Sequence, residues 1–312
     1  MRAYALTAPN RKPEVIDSPV PTVADGEVLV RVSASSANPH DVTVASGAAA
    51  RYMTYYYPAI LGSDLAGTVE AVGPGVDDLA PGDRVFGLVR ERVVARGSFA
   101  ELVAVPREWV ARTPHGIEDA DAGVLGLAAL TALRAVDAIA PVAGDIVLVN
   151  GATGGVGSYA LQMLVARGAT VVATARPDEE DHVKRLGAKD VVDWEADDVA
   201  AAVQALHPRG IAAIVDLVTR DSGAFTALAA GVLAPGGRVA CTGHAADPDQ
   251  LPGVRAVNVV AEVDQDALLV VADLAGSGVL TTSIAHTYDF DELDEAFSAL
   301  GRGVVGKLAV RI

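Results

Sequence analysis

The sequence predicts a β-rich first part followed by a doubly wound parallel α/β sheet, and three observations predict it. The chain has 312 residues, about twice the length of a typical domain. Up to about residue 115, short apolar runs are punctuated by Pro-Gly and Gly-Asp turns, whereas from about residue 120 strands alternate with alanine-rich helical segments. A glycine-rich turn at 151–157 separates an apolar strand from a helix.

In the first part, 28–32 and 67–72 read as strands, Pro81-Gly82-Asp83 marks a turn, and 98–105 reads as a strand that Pro106 ends. In the second, strands fit 146–150, 170–174, 190–193, 212–217, 237–242 and 257–261, with helical segments between most of them. Strands joined by helical crossovers make a parallel sheet. The tail reads as helix 267–276, helix 291–300 and strand 307–312.

Composition excludes several function classes. Hydrophobic residues make up 51% of the chain, enough for a sizeable core. The single cysteine, Cys241, rules out a disulfide framework, a Cys-rich zinc site and an iron–sulfur cluster, and it reads as a strand residue without an activating partner. A formal net charge of −16 repels polyphosphate backbones, so no nucleic-acid partner is expected. No apolar run precedes Pro9, so no signal peptide is expected. The uncharged stretch 146–166 is long enough to cross a bilayer, but its glycine cluster suits a strand, turn and helix better. No membrane partner and a cytoplasmic location are expected.

The turn reads Gly151-Ala152-Thr153-Gly154-Gly155-Val156-Gly157, behind the strand at 146–150 and ahead of a helix over 158–167. As a dinucleotide fingerprint it places Ala152, Gly154 and Gly157 at the three small positions. The first makes the turn, the second admits the pyrophosphate, and the third lets helix and strand pack closely. The helix N-terminus then offers N–H groups to the phosphates. The second strand ends at Arg176 rather than at an acid, which favours NADP over NAD through a charge-assisted pair with the 2′-phosphate. The acidic run Asp178-Glu179-Glu180-Asp181 reads as the solvated first turn of a helix.

Further segments carry a resemblance: Ala37-Asn38-Pro39-His40-Asp41, Leu61-Gly62-Ser63-Asp64-Leu65-Ala66-Gly67, Pro81-Gly82-Asp83-Arg84-Val85, Gly97-Ser98-Phe99-Ala100-Glu101, Leu186-Gly187-Ala188, Pro235-Gly236-Gly237-Arg238 and Gly306-Lys307. With the glycine turn placed behind a β-rich part, the chain resembles a zinc-independent medium-chain dehydrogenase/reductase of the quinone oxidoreductase (zeta-crystallin-like) family. The resemblance implies a GroES-like catalytic domain over 1–121 and 263–312 and an NADP-binding Rossmann domain over 122–262. It implies that Thr153, Gly154, Gly155, Val156 and Gly157 hold the pyrophosphate and Arg176 the 2′-phosphate. Trp194 falls near the adenosine, and Thr131, Gly243 and Val259, Val260 and Ala261 of strand six line the nicotinamide. Thr43 stands where relatives often carry a tyrosine that contacts the cofactor, and Lys307 belongs to a terminal motif that reaches it.

The family's zinc enzymes carry a cysteine near position 38 and Gly-His-Glu near 62–64, where this chain has Asn38-Pro39 and Gly62-Ser63-Asp64. His40 and Asp64 without a third ligand make a poor zinc site, so no metal is expected. Without a Lewis acid, hydride transfer suits an acceptor whose reduced form is delocalised, a quinone or an enone, with a few hydrogen-bond donors at the developing oxyanion. Asn38, Tyr52 and Tyr55 are the candidate catalytic donors, with Tyr56 and Tyr57 beside them in a segment rich in planar rings. The expected function is an NADPH-dependent quinone reductase. An alkene or enoyl reductase on the same fold and a non-catalytic NADPH-binding protein are the alternatives. Strand six, an apolar sheet edge, predicts a homodimer.

Overall fold

The computed structural model describes residues 1–312, and the chain divides into two compact units. One comprises Met1–Leu127, Glu262–Gly278 and Thr282–Ile312, the other Ala128–Ala261 with Val279–Thr281.

The first unit is built around the long strand Glu27–Ala37, whose alternate residues Val28, Val30 and Val32 enter a core with Leu65, Val69, Val85, Val103 and Val105. Residues two apart that enter one core define one face of a sheet. The strand pairs antiparallel with Asp64–Val72, with Leu102–Pro106 and with the final strand Lys307–Arg311. The last pairing runs Leu308 opposite Ala37 and Arg311 opposite Ala34. That register brings Lys307, some 270 residues away in sequence, beside Asn38. A short helix, Pro39–Ala45, follows directly, opened by Asn38 and Asp41 in a reciprocal capping box.

The second unit is a six-stranded sheet in the order 190–192, 170–174, 146–150, 211–216, 233–241, 255–258, all neighbours parallel. The strand at 146–150 therefore lies inside the sheet, and its Val147, Leu148 and Val149 are fully buried. Strands covered on both faces read as continuous apolar runs, as this one does. The expected doubly wound α/β architecture is the one observed.

Several boundaries differ from expectation, and one strand is new. The strand expected over 98–105 spans Leu102–Pro106, because Ser98 and Phe99 donate their N–H groups to Gly62 and Leu61 instead. Strand six spans Arg255–Asn258, so Val259, Val260 and Ala261 lie just beyond it. Val259 extends the ladder, with its N–H 2.8 Å from the Cys241 carbonyl. The helix after the glycine turn starts at Gly155 rather than Ser158; first-turn N–H groups need no intrahelical partner, so glycines there cost little. An edge strand, Ile284–Asp289, was not foreseen in the tail, since its mostly polar run carries no apolar alternation.

Candidate functional site

Three adjacent strands of the second unit end in a polar residue: Asn150, Thr174 and Asp216. Asp216 is fully buried. Its carboxylate accepts from the Asn150 amide at 2.8 Å, the Thr219 hydroxyl at 2.8 Å, and the N–H groups of Thr219 and Val218 at 2.7 and 3.1 Å. The Thr174 hydroxyl donates to Asn150 Oδ1 at 3.2 Å and accepts from the Gly151 N–H at 2.8 Å. A fully satisfied buried network of this kind is rigid. It ties the first residue of the glycine turn to the loop at 217–219. Gly243 joins the same neighbourhood, since a Cβ on it would lie 1.9 Å from the Thr219 carbonyl oxygen.

The glycines of the turn serve different needs. A Cβ on Gly157 would sit 2.1 Å from the Gly151 carbonyl oxygen and 2.7 Å from Ala152 Cα, so the chain's own packing demands glycine there. On Gly154 it would meet only the Gly151 oxygen, at 3.8 Å, and Gly154 has ordinary extended φ and ψ. Nothing inside the protein requires Gly154 to lack a side chain. The space it leaves fits the approach of an external group, and the helix Gly155–Ala166 begins there with no capping side chain and no acid in its first turn. Unsatisfied N–H groups at a helix start favour a phosphate. The residues present therefore fit a dinucleotide pyrophosphate.

Of the other expected cofactor residues, Thr131 is buried in the helix Gly126–Ile139 and Trp194 is 49% exposed in the turn after the third strand. Val260 is exposed, while Val259 and Ala261 are buried. Arg176 lies where expected, but its setting corrects the reading of the acids. Glu179 is buried rather than solvated, accepts from the Arg176 side chain at 2.9 Å and caps the Arg176 N–H at 3.1 Å. Arg176 Nε lies 3.4 Å from Asp178 and, closed off from solvent, makes no hydrogen bond. The guanidinium is thus partly neutralised by its own chain.

In the first unit, Asn38, Asp41, Ser36, Ser63, Asp64 and Lys307 are all buried and mutually bonded. The Asn38 side-chain amide donates to the Ser36 carbonyl and hydroxyl, to Asp41 at 3.1 Å and to Asp64 at 3.0 Å. Its oxygen accepts from Lys307 Nζ at 2.5 Å. Asp64 also accepts from Ser36 and from the Leu127 N–H, and lies 3.5 Å from Lys307 Nζ. Asn38 is therefore a positioning residue with its amide hydrogens engaged, not an available oxyanion donor, and Lys307 is held in this cluster instead of reaching outward. Asp41 accepts from Ser63 at 2.6 Å, and burial pushes its carboxyl up to about 6.

The tyrosines divide. Tyr55 stacks on Tyr57 and donates its hydroxyl to the Val44 carbonyl at 2.8 Å; burial pushes it up to about 12. Its hydroxyl is committed to the fold, which corrects its reading as a catalytic donor. Tyr52 is 53% exposed, with the Arg51 guanidinium 5.5 Å from its ring centre. The Thr43 hydroxyl donates to Pro39 within its own helix. A cavity of about 30 Å³ opens nearby, with His40, Asp41, Met53, Ser63 and Arg90 in its wall. Arg90 was not singled out in sequence because nothing local distinguishes it from other arginines. Asp216 had a legible signal: like Asn150 and Thr174, it is a polar residue closing an otherwise apolar strand.

A family model described as "Alcohol dehydrogenase GroES-like domain" matches residues 24–115, and one described as "Zinc-binding dehydrogenase" matches 155–293. A crystal structure of an alcohol dehydrogenase superfamily protein from Novosphingobium aromaticivorans superposes with a TM-score of 0.88 at 30% identity, covering 100% of this chain and 99% of that one. The chain belongs to the medium-chain dehydrogenase/reductase family. It is an oxidoreductase of a family that works with a nicotinamide dinucleotide, NAD(P)H. It is 33% identical over 194 residues to the chloroplast envelope quinone oxidoreductase homolog of Arabidopsis thaliana, matching 60% of this chain and 58% of that protein. It is 40% identical over 166 residues to erythronolide synthase EryA2 of Saccharopolyspora erythraea, 53% of this chain but 4% of that protein.

Some members of this family hold zinc, and the residues here do not fit it. No three His, Cys, Asp or Glu side chains converge as a ligand set. Both Asp64 oxygens already accept hydrogen bonds, and the nearest cation is the Lys307 ammonium. No helix is long and apolar enough to cross a membrane.

Proposed function

We propose that this protein is an NADPH-dependent oxidoreductase that reduces a quinone, or a similarly conjugated carbonyl, without zinc. The observation that carries the reading is the Lys307–Asp64 pair: a buried carboxylate in the GroES-like unit is balanced by an ammonium from the chain itself, so the site needs no metal to satisfy it. Acceptors that spread the developing charge over a conjugated system demand the least from such a site. The kinship to a plant quinone oxidoreductase homolog supports the same choice.

In this reading the first unit receives the acceptor and the second is the NADP-binding domain. The N–H groups of Thr153 to Gly157 hold the pyrophosphate, Arg176 meets the 2′-phosphate, and Trp194 stacks near the adenosine. Thr131, Gly243, Val259, Val260 and Ala261 line the nicotinamide, and Thr43 is a further cofactor contact. Bound there, the dinucleotide supplies a hydride. Tyr52, together with the stacked Tyr55–Tyr57 pair, offers planar surface to a planar acceptor. The edge strand Arg255–Asn258 joins a second copy to make a homodimer.

The test is steady-state turnover with NADPH and with NADH across quinones, enones, saturated aldehydes and saturated ketones. Turnover with NADPH and conjugated acceptors alone is expected. An equal rate with saturated carbonyls overturns the reading, and turnover with enones but not quinones reassigns the protein to alkene reduction.

A further inference from the structure

Ser158 is buried in the first turn of the helix Gly155–Ala166. Its hydroxyl lies 3.1 Å from His182 Nε2, 3.4 Å from the Thr153 carbonyl oxygen and 3.5 Å from the Ala152 carbonyl oxygen. A serine hydroxyl has one hydrogen to give. A neutral imidazole with a bare Nε2 takes that hydrogen, this being the shortest of the three contacts. A cationic ring carries hydrogens on both nitrogens, so it donates to Ser158 and frees the serine hydrogen for the two carbonyls. His182 is half-buried in the short helix Glu180–Arg185. Burial, and then Arg185, lower it from its ordinary value, while Glu179 favours the cation. The acids around it are engaged or exposed: Glu179 holds Arg176, Glu180 holds Lys184, Asp181 is exposed, and Asp190 of the third strand faces His207. The helix Gly155–Ala166 carries no charged side chain. Near neutral pH the ring is therefore neutral until a further negative charge arrives.

We propose that His182 is a positioning residue for the dinucleotide pyrophosphate, acting through Ser158 on the carbonyls of Ala152 and Thr153, and that the bound phosphates draw a proton onto it. The inference rests on the dinucleotide site of the proposed function. In a planar trans peptide the C=O and the following N–H point in opposite directions. A carbonyl drawn to the buried serine therefore aims the next N–H, that of Thr153 or Gly154, to the other side, where the proposed function puts the pyrophosphate. The phosphates supply the negative charge that favours the imidazolium. The proton is taken from solvent on binding and returned when the dinucleotide leaves. By linkage, affinity rises as pH falls through the titration of His182 and levels off below it. Because NADPH and NADH share the pyrophosphate, the pair serves both alike, unlike Arg176.

The experiment titrates ADP-ribose, which has the pyrophosphate but neither the 2′-phosphate nor the acid-labile reduced ring, into wild type, His182→Leu, His182→Gln and Ser158→Ala. Calorimetry covers about pH 8 to 5.5, and thermal unfolding is followed for each protein. Wild-type affinity should rise about three- to tenfold toward the acid end, the worth of one hydrogen bond. His182→Leu should lose that slope and stay at the weaker affinity. His182→Gln, whose amide donates to Ser158 at every pH, should lose the slope and keep the tighter affinity, and Ser158→Ala should weaken the acid-end binding. At about pH 6.5, His182→Leu should weaken NADPH and NADH by the same factor. A wild-type slope in folded His182→Leu, or a loss confined to NADPH, overturns the inference and leaves the dinucleotide site standing. So does a loss equal at every pH and in step with Tm, which makes the pair structural, and so does a wild type that binds NADPH but not ADP-ribose. A wild type that binds neither dinucleotide overturns the site and the inference together.

Discussion

Lys307 and Asp64 act as one unit, and the pair matters because of what each leaves behind when the other is removed. Replacing Lys307 by Met strands a fully buried carboxylate, a change that costs about 3–5 kcal/mol and should lower Tm by roughly 6–20 °C. Pairing it with Asp64→Asn should recover most of the loss, as coupled neighbours do; additive losses in thermal unfolding would show that the two do not interact. His40 and Asp41 set opposing pH slopes. Asp41 is raised from 3.8 to about 6, so the folded state holds its proton more tightly, and its contribution to stability grows as pH falls through 6 and is lost as pH rises through it. His40 is lowered from 6.5 to about 4, so the unfolded chain protonates first and stability falls as pH drops through that window. Acidification from about pH 7 to 5 should therefore raise the Tm of His40→Asn relative to wild type and lower that of Asp41→Asn. At Arg176, Arg176→Ala should weaken NADPH by about tenfold, or ~1.4 kcal/mol, and spare NADH. Glu179→Gln should tighten NADPH by releasing the guanidinium; equal changes for both dinucleotides, read by titration, would place selectivity elsewhere. Glu179 shows the limit of reading sequence: four acids in a row look alike, and only the turn geometry at 176–179 decides which one folds back.

The glycine turn is the element most legible in sequence, since small residues at fixed spacing between an apolar strand and a helix have few other uses. The two glycines nevertheless part company in structure, and substitutions should separate them. Gly154→Val places a branched side chain in space the protein does not fill, so the variant should fold with near-native Tm and lose NADPH binding. Gly157→Ala drives a Cβ into the Gly151 carbonyl, so it should displace the helix and lower Tm as well. Native dinucleotide affinity in a folded Gly154→Val protein would make the turn purely structural. The network beneath it, Asn150, Thr174 and Asp216, was open to a reader who asked why three apolar strands close on polar residues. The start of strand six was not, because Arg255 and Asn258 interrupt its apolar run.

For the whole molecule, alternating strands and helices specify the six-stranded sheet directly, as each crossover permits few arrangements. The first unit is harder to read, because its strands pair across long sequence separations: Lys307 reaches Asn38 only through the register of the last strand on Glu27–Ala37. Hence the motifs of the Asn38, Asp64 and Lys307 cluster were visible in sequence while their mutual engagement, which removes Asn38 and Lys307 from the list of outward-facing groups, was not. The exposed edge strand Arg255–Asn258 predicts a dimeric mass in solution, checked by light scattering, and a charged substitution at Val257 should shift it toward monomer. The most direct measurement of the central claim is turnover of NADPH with a quinone before and after exhaustive chelation, with the metal content of the same sample determined. An unchanged rate in protein without bound zinc is expected; stoichiometric zinc whose removal abolishes turnover and whose return restores it would contradict a metal-free reaction.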